Sequence, residues 1–329
     1  MLDFEPVTLD KRGMMERYFL EWGEGSCQHS FAASFCLAGK YGTQVCERGG
    51  FLYILRSKAG GKDGTSCPPA GTRTSCPSLG GPEERVYLFP MGDPSDREAL
   101  RGAVANVLDD AHEHGARVRF ETLTRRAKDL TLELFPGTFA AQGNQDYAEY
   151  VYSVDKLVNL PGHELASRRK KIHHFFNEYG DRYQIATIDE GHIPLIRAFQ
   201  RQWLEARISD DPQFAARLAQ EDAGVQIGLD HFFELGLSGV VALIDGELRG
   251  YEYGAPLSRD CFDAMVQKGD RDIPEIYRIL DWEFLRLCCE GYAWVNWEED
   301  LGVESLRTMK THYEPDFMIE KFIVSEVPA

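Results

Sequence analysis

The sequence predicts a mixed α/β chain built as two similar halves, and three observations predict it. Its 329 residues are enough for two separate cores at roughly 100–200 residues per domain. Hydrophobic residues at 43% and charged residues at 27% lie near the globular average, which excludes a disordered or fibrous chain. Strand and helix patterns also run twice through one series, β-α-α-β-β-β-α-β-α-β.

The first half opens with a strand at Phe4–Leu9, a helix from Asp10 and a second helix near Cys27–Ala38. Strands follow at Thr43–Glu47, Phe51–Arg56 and Arg85–Pro90. A helix from Ser95 to His114 starts with Ser95 as N-cap and Glu98 three residues on, a capping box. A strand (Arg117–Leu123), a helix (Thr124–Phe135) and a strand (Tyr147–Val154) close the half. Residues 59–82, dense in Gly, Pro, Ser and Thr, lie between strand-like flanks and read as a flexible insertion in a hairpin.

The second half has a strand at Tyr183–Ile188 and helices near His192–Arg207 and Asp211–Leu235. Strands Gly239–Ile244, Glu247–Pro256 and Cys261–Gln267 come next, the first two joined by Asp245-Gly246, a type I′ turn signal. A helix over Pro274–Glu290, a strand Tyr292–Trp297, a helix Gly302–His312 and a strand Phe317–Val324 complete it. This repeated order matches the GNAT acyltransferase fold. The chain thus resembles a tandem of GNAT-like domains, 1–160 and 161–329, the second expected to carry the active site.

The formal net charge is −17, and residues 161–329 alone hold 31 acidic against 18 basic side chains. Such a surface repels nucleic acid at long range, so DNA is not an expected partner and any polyanion needs a local basic patch. No apolar run approaches the ~18 residues of a membrane span, and the N-terminal residues are acidic where a signal peptide is basic; a cytoplasmic location is expected. The eight cysteines read as inert thiols, because Cys67 and Cys76 lack zinc-site spacing and the rest fall in apolar contexts. No metal site is expected.

Two motif blocks are more specific. One is Tyr150-Val151-Tyr152-Ser153-Val154-Asp155-Lys156-Leu157-Val158-Asn159-Leu160-Pro161-Gly162 with Ser167-Arg168-Arg169-Lys170-Lys171-Ile172; the other is Asn296-Trp297-Glu298-Glu299-Asp300-Leu301-Gly302 with Leu306-Arg307, Lys310, Tyr313 and Pro315. Together they resemble soluble relatives of the phosphatidylglycerol lysyltransferase C-terminal domain, a bacterial family akin to the Fem-type aminoacyltransferases. The resemblance implies an acyltransferase, most simply one moving an aminoacyl group from a charged tRNA to an amine or hydroxyl. A tRNA acceptor end is then a possible partner, and aminoacyl-tRNA or acyl-CoA the donor. Two other readings stay open: a non-catalytic small-ligand binder on the same scaffold, and an acetyl-CoA-dependent N-acetyltransferase with a degenerate CoA loop.

A CoA cradle needs several glycines so that backbone N–H groups can approach the diphosphate. Gln267-Lys268-Gly269-Asp270-Arg271-Asp272 offers one glycine and two carboxylates, and Met91-Gly92-Asp93-Pro94 one glycine, an acid and a proline. Neither is a working cradle. Arg168 and Lys171 share a helix face in the one dense basic cluster of an acidic half, a phosphate grip or a solvated face. Glu298 and Asp300 follow Trp297 at a strand end and are candidate proton acceptors, with helix capping as Asp300's plainer role. Arg307 and Lys310 lie on one face of the next helix and suit a developing oxyanion or a phosphate, unless Arg307 simply pairs with Glu304. Tyr277 and Asp281, four apart, complete the expected pocket. Glu298, Asp300 and Lys310 are therefore the catalytic candidates, with Arg168, Lys171, Tyr277, Asp281, Trp297 and Arg307 binding substrate.

Overall fold

The computed structural model describes residues 2–57, 84–163, 165–207 and 211–328. The expected insertion at 59–82 lies outside the described residues. The chain divides into two compact units, Met1–Val151 with Glu298–Ala329, and Tyr152–Trp297.

The first unit contains β1 (Glu5–Pro6), α1 (Arg12–Trp22), α2 (Phe31–Cys36), α3 (Ala38–Tyr41), β2 (Thr43–Arg48), β3 (Phe51–Arg56), β4 (Glu84–Tyr87), α4 (Arg97–Glu113), β5 (Arg117–Leu123), α5 (Arg125–Leu134) and β6 (Phe139–Gly143). β7 (Glu149–Ser153) carries the chain into the second unit. There follow α6 (Val154–Asn159), α7 (Ala166–Tyr179), β8 (Tyr183–Thr187), α8 (His192–Glu205), α9 (Pro212–Asp230), β9 (Ser238–Ile244), β10 (Glu247–Pro256), β11 (Cys261–Gly269) and α10 (Ile276–Cys288). β12 (Trp294–Glu299) leads back to the first unit, which ends with α11 (Glu304–His312), β13 (Phe317–Ile319) and β14 (Phe322–Glu326).

In the first unit the sheet runs β1-β2-β3-β4-β5-β14-β6, antiparallel except where β5 lies parallel to β4. That exception follows from α4, since a parallel neighbour requires a crossover and a helix supplies it. α4 buries Leu100, Ala103, Val104, Val107 and Ala111, spaced three and four apart, against Tyr53, Tyr87, Val118 and Phe120 of one core. Its N-cap is Asp96, whose carboxylate accepts from Ala99 N–H at 2.9 Å, not Ser95. Asp96 sits one residue closer to the first helical turn, which is what the N3 amide requires.

In the second unit the sheet runs β8-β9-β10-β11-β12, again with one parallel pair, β11 and β12. Each unit is therefore GNAT-like, a mixed sheet with its parallel pair bridged by one helix. Gly254 marks a register shift between β10 and β11, and a Cβ there would lie 1.7 Å from the Asp263 carbonyl oxygen. Only glycine fits. Asp245 and Gly246 both have positive φ, +55° and +79°, the type I′ geometry their sequence signalled.

The sequence assigned residues 298–329 to the second half. In the structure they complete the first unit, because β14 hydrogen-bonds to β5 on one side and to β6 on the other. The single strand expected at Phe317–Val324 is two: β13 pairs with β7, Met318 opposite Tyr150, and β14 joins the sheet. β6 carried no alternating signal, since four of its five residues are exposed.

Both parallel pairs are short. β4 and β5 are paired only from Glu84–Arg117 to Tyr87–Phe120. Beyond that point Leu88 N–H donates to the Ile54 carbonyl at 3.0 Å and Met91 exchanges both backbone bonds with Leu52, so this segment stays on β3. Leu123 pairs with Phe322, so β5 stays on β14. A gap opens between the two ends. In the second unit β12 holds β11 from Cys261 to Asp263, while β10 follows β11 to Gly269.

Candidate functional site

The residues from Glu298 to Lys310 bring six charged side chains into thirteen positions of the first unit, and the backbone explains how they are placed. Glu298 has φ +55°, Leu301 +52° and Gly302 +73°, so the strand's alternation is broken at Glu298 and the chain turns sharply before α11. The one-face placement of Glu298 and Asp300 expected from alternation does not hold. Asp300 is instead turned inward and is fully buried.

Four donors converge on its carboxylate. Arg307 gives Nε to Oδ2 at 2.9 Å and Nη2 to Oδ1 at 2.8 Å, a two-point contact. Tyr150 Oη donates to Oδ2 at 2.6 Å and the Gly302 N–H to Oδ1 at 2.8 Å. Arg307 Nη2 also reaches Asp146 Oδ1 at 2.6 Å. Asp300 thus closes the turn before α11, while Val303 occupies the N-cap position. Arg307 pairs with Asp300 and Asp146 among the contacts described, not with Glu304. Burial by itself pushes the Asp300 carboxyl up, but Arg307, Tyr150 and the Gly302 amide outweigh it and hold the pKa below the ordinary carboxylate range. The same neighbours keep Arg307 firmly charged, and Tyr150, desolvated beside Asp300, is raised.

Lys310 stands one helical turn beyond Arg307. It is 8% exposed, its Nζ donates to the Glu299 carbonyl at 2.6 Å and lies 5.7 Å from the Tyr150 ring centre. Burial lowers its pKa below the ordinary lysine value; the charges of Glu298 and Glu299 offset only part of that. A lysine in this state gives up its proton more easily than an exposed one and can take part in proton transfer. Asp300, held ionised by four donors, is a poor proton acceptor and serves as the frame that fixes Arg307 and Tyr150.

A second buried set lies in the same unit. Glu149 and Lys321 are both fully buried and paired at 2.6 Å. Ser26 Oγ donates to Glu149 Oε1 at 2.9 Å and accepts from Lys321 Nζ at 2.5 Å, while the Cys27 N–H donates to Glu149 Oε2 at 3.1 Å. The turn so fixed places Cys27 Sγ 3.2 Å from Glu299 Oε2 and Gln28 Nε2 3.4 Å from Glu299 Oε1. Glu299 is thereby held at its side chain, and its carbonyl is the one Lys310 uses. Sequence reasoning missed Ser26, Asp146, Glu149, Tyr150 (as a site residue) and Lys321. They are remote in sequence from residues 298–310, and a buried polar group carries no periodic signal.

The other candidates lie in the second unit. Arg168 is buried on α7, Arg169 donates to the Leu160 and Gly162 carbonyls, and Lys171 pairs with Glu275 at 3.2 Å. Within the basic run Arg168 is buried, while Arg169, Lys170 and Lys171 stay exposed. Trp297 packs its ring 4.6 Å from that of Tyr152. Tyr277 Oη donates to the Gly269 carbonyl at 2.9 Å. Gln267 Nε2 meets Glu252, Asp281 and the Tyr277 carbonyl at 2.7–2.8 Å.

These contacts bear on CoA. The space a Cβ would need at Gly269 is taken by Ile276 and the Tyr277 ring, and Asp270 pairs with Arg249. At Gly92 a Cβ would lie 2.6 Å from the Phe51 ring. Gly92 is required by packing, and a side chain at Gly269 would be tight against its neighbours. Among the described residues no group of His, Cys, Asp and Glu is arranged to hold a metal ion, and no helix is long and apolar enough to cross a membrane.

Comparison with known proteins gives a consistent picture. A family profile described as phosphatidylglycerol lysyltransferase, C-terminal, matches residues 79–325. Among solved structures, a conserved protein of unknown function from Bacteroides thetaiotaomicron superposes with a TM-score of 0.85 at 22% identity, over 99% of this chain and 100% of that one. L-PGS from Bacillus licheniformis gives 0.62 at 14%, over 95% and 91%. The C-terminal domain of a putative lysylphosphatidylglycerol synthetase from Agrobacterium fabrum gives 0.58 at 12%, over 96% and 93%. At these identities the likeness is one of fold. Among curated protein sequences none matches. With most of its length matched by that profile, the chain belongs to the family of the phosphatidylglycerol lysyltransferase C-terminal domain, and this membership supports an acyltransferase-type function.

Proposed function

We propose that the protein transfers an aminoacyl group from an aminoacyl-tRNA-type donor to an amine or hydroxyl, with Lys310 at the reacting centre. The observation that carries this reading is Lys310 itself: a buried ammonium with its pKa lowered by burial, seated on the Glu299 carbonyl beside the Asp300–Arg307–Tyr150 array. In such a transfer the acceptor's N or O attacks the ester carbonyl, the acceptor's proton leaves, and the bond to the ribose oxygen breaks. Lys310 in its deprotonated form, which burial favours, accepts that proton and returns it to the departing ribose oxygen, so the cycle closes without net proton gain. Glu298, whose charge acts on Lys310, is the second group of the centre. Arg307 is a positioning residue, because Asp300 and Asp146 hold its guanidinium. The loops at Gly92 and Gly269 favour this donor over acetyl-CoA, since each has a single glycine and carries carboxylates, Asp93 in one and Asp270 and Asp272 in the other, where a diphosphate would lie.

Incubating the protein with a set of aminoacyl-tRNAs and, separately, with acetyl-CoA, each carrying a labelled acyl group, tests it. Consumption of label from one aminoacyl-tRNA, lost in Lys310→Met, is the expected result. Consumption of acetyl-CoA alone refutes the donor assignment. Consumption of neither, with melting-temperature stabilisation by a metabolite, marks the non-catalytic ligand binder instead.

A further inference from the structure

A polyanion that approaches a chain of net charge −17 has to be caught by a local basic patch. The first unit carries one around Tyr41, the last residue of α3. The Arg56 guanidinium carbon lies 4.6 Å from the centre of the Tyr41 ring, and Lys40 Nζ lies 4.9 Å from the same centre. Neither cation is paired with a carboxylate among the described residues. Arg56 gives Nη2 to Gln28 Oε1 at 2.8 Å, and its Nε is buried. Its Nη1 has no hydrogen-bond partner among the described residues and is not sealed from water.

Two phenols add to these donors. Tyr41 and Tyr147 are half-buried, and neither hydroxyl has a hydrogen-bond partner among the described residues. Burial, then the neighbouring Tyr41, Glu121 and Glu299, push the Tyr147 pKa up to about 12 against the opposing charge of Arg56. That phenol therefore keeps its proton and can donate it. The two carboxylates are already engaged, Glu121 by Arg119 at 3.3 Å and Glu299 by Gln28 Nε2 at 3.4 Å. What is left open is a guanidinium edge, an ammonium and two hydroxyls, a set that fits phosphate oxygens. Gln28 also ties the patch to the reacting centre, because the Glu299 it meets offers its carbonyl to Lys310 at 2.6 Å.

We propose that Lys40 and Arg56, with the Tyr41 and Tyr147 hydroxyls, grip phosphodiesters of the RNA strand that carries the ester, an inference that rests on the aminoacyl-tRNA donor of the proposed reaction. Two cations on one ring engage a chain of phosphodiesters, whereas a lone carboxylate occupies only one of them. A lipid phosphodiester would also need apolar surface for its chains. Among the described residues of the first unit, the exposed large hydrophobic side chains are Leu20, Leu301, Leu306, Met309 and Phe317, none of them on the segments that carry this patch.

The test is fluorescence anisotropy of the full chain with a labelled RNA hairpin bearing a single-stranded 3′ overhang, between about 50 and 200 mM salt. Phosphatidylglycerol vesicles in a co-sedimentation assay form the second arm. The wild type should bind the RNA. Lys40→Gln combined with Arg56→Gln should weaken binding at least about tenfold and reduce the slope of log affinity against log salt by about 1.4, at ~0.7 per phosphate contact on a single strand. Arg56→Lys, which keeps the charge, should retain most of that slope. Melting curves check that each variant folds; if Arg56→Gln does not, exposed Lys40→Gln alone should reduce the slope by about 0.7. No RNA binding, an unchanged slope in the folded variants, or vesicle binding that these variants abolish while RNA binding persists would overturn the proposal. Binding is read without turnover, so failure of the transfer assay refutes the reaction and not the grip. Transfer lost in Lys310→Met, together with an unchanged salt slope in Lys40→Gln, refutes the grip and not the reaction.

Discussion

Replacing Asp300 by Asn tests whether the frame around Arg307 is as costly to break as its geometry implies. The carboxylate is fully buried and accepts four hydrogen bonds, two of them from one guanidinium. The amide keeps one acceptor oxygen and turns the other into a donor. That new N–H₂ faces either Arg307 Nε with Tyr150 Oη, or Arg307 Nη2 with the Gly302 amide. The Tyr150 hydroxyl can rotate to accept; the guanidinium cannot. Arg307 keeps Asp146, so it is not stranded completely. Losing a partner from a buried pair costs about 3–5 kcal/mol, and the remaining Asp146 contact places this case near 3 kcal/mol. At ~2–4 °C per kcal/mol the melting temperature should fall by about 6–12 °C. The acid limb should change as well. The folded Asp300 pKa lies below its unfolded value of 3.8, so its contribution is complete above about pH 4 and is lost as pH falls through the folded pKa. Scanning calorimetry of wild type and Asp300→Asn from pH 2 to 7 reads both effects. A variant melting within about 1 °C of wild type, with the same acid limb, would refute the argument.

Lys310→Met should remove transfer activity without loss of stability, because it deletes a buried charge and leaves an apolar chain of similar length; the folded Lys310 pKa is lowered, so wild-type stability should also rise with pH up to about 10.5 and the variant's should not. Lys321→Met strands buried Glu149 and should cost about 3–5 kcal/mol by chemical denaturation, whereas Lys321→Met with Glu149→Leu should cost less than the two single changes summed. The His29 pKa falls from 6.5 to about 4 on folding, so the unfolded chain binds the proton first and stability drops as pH falls from 6.5 to about 4. That loss amounts to up to about 3 kcal/mol, and His29→Gln should flatten the limb in a pH series of denaturation midpoints.

Much of the fold was open to sequence reasoning because it rests on local periodicity. α4 shows its buried stripe at Leu100, Val104, Val107 and Ala111, and Asp245-Gly246 announces a turn whose positive φ angles the structure confirms. The repeated element order is a sum of such local signals. The motif around Asp300, Arg307 and Lys310 was also legible, since charges packed between a strand end and a short helix stand out against an apolar background. The partners of those charges were not. Tyr150 and Asp146 lie some 150 residues away, and only chain folding brings Tyr150 Oη to Asp300 and the Asp146 carboxylate to Arg307.

Tertiary structure alone decided which unit the C-terminal strand serves. Phe322–Glu326 reads as a strand in any context, but its edges are satisfied by β5 and β6, and no residue of β14 encodes that choice locally. The same holds for the strained backbone at Glu298 and Thr122, each inside a stretch whose residue types favour extended strand. Propensity acts over a few neighbouring residues, whereas strand pairing and buried charge are settled by surfaces that meet only in the folded chain.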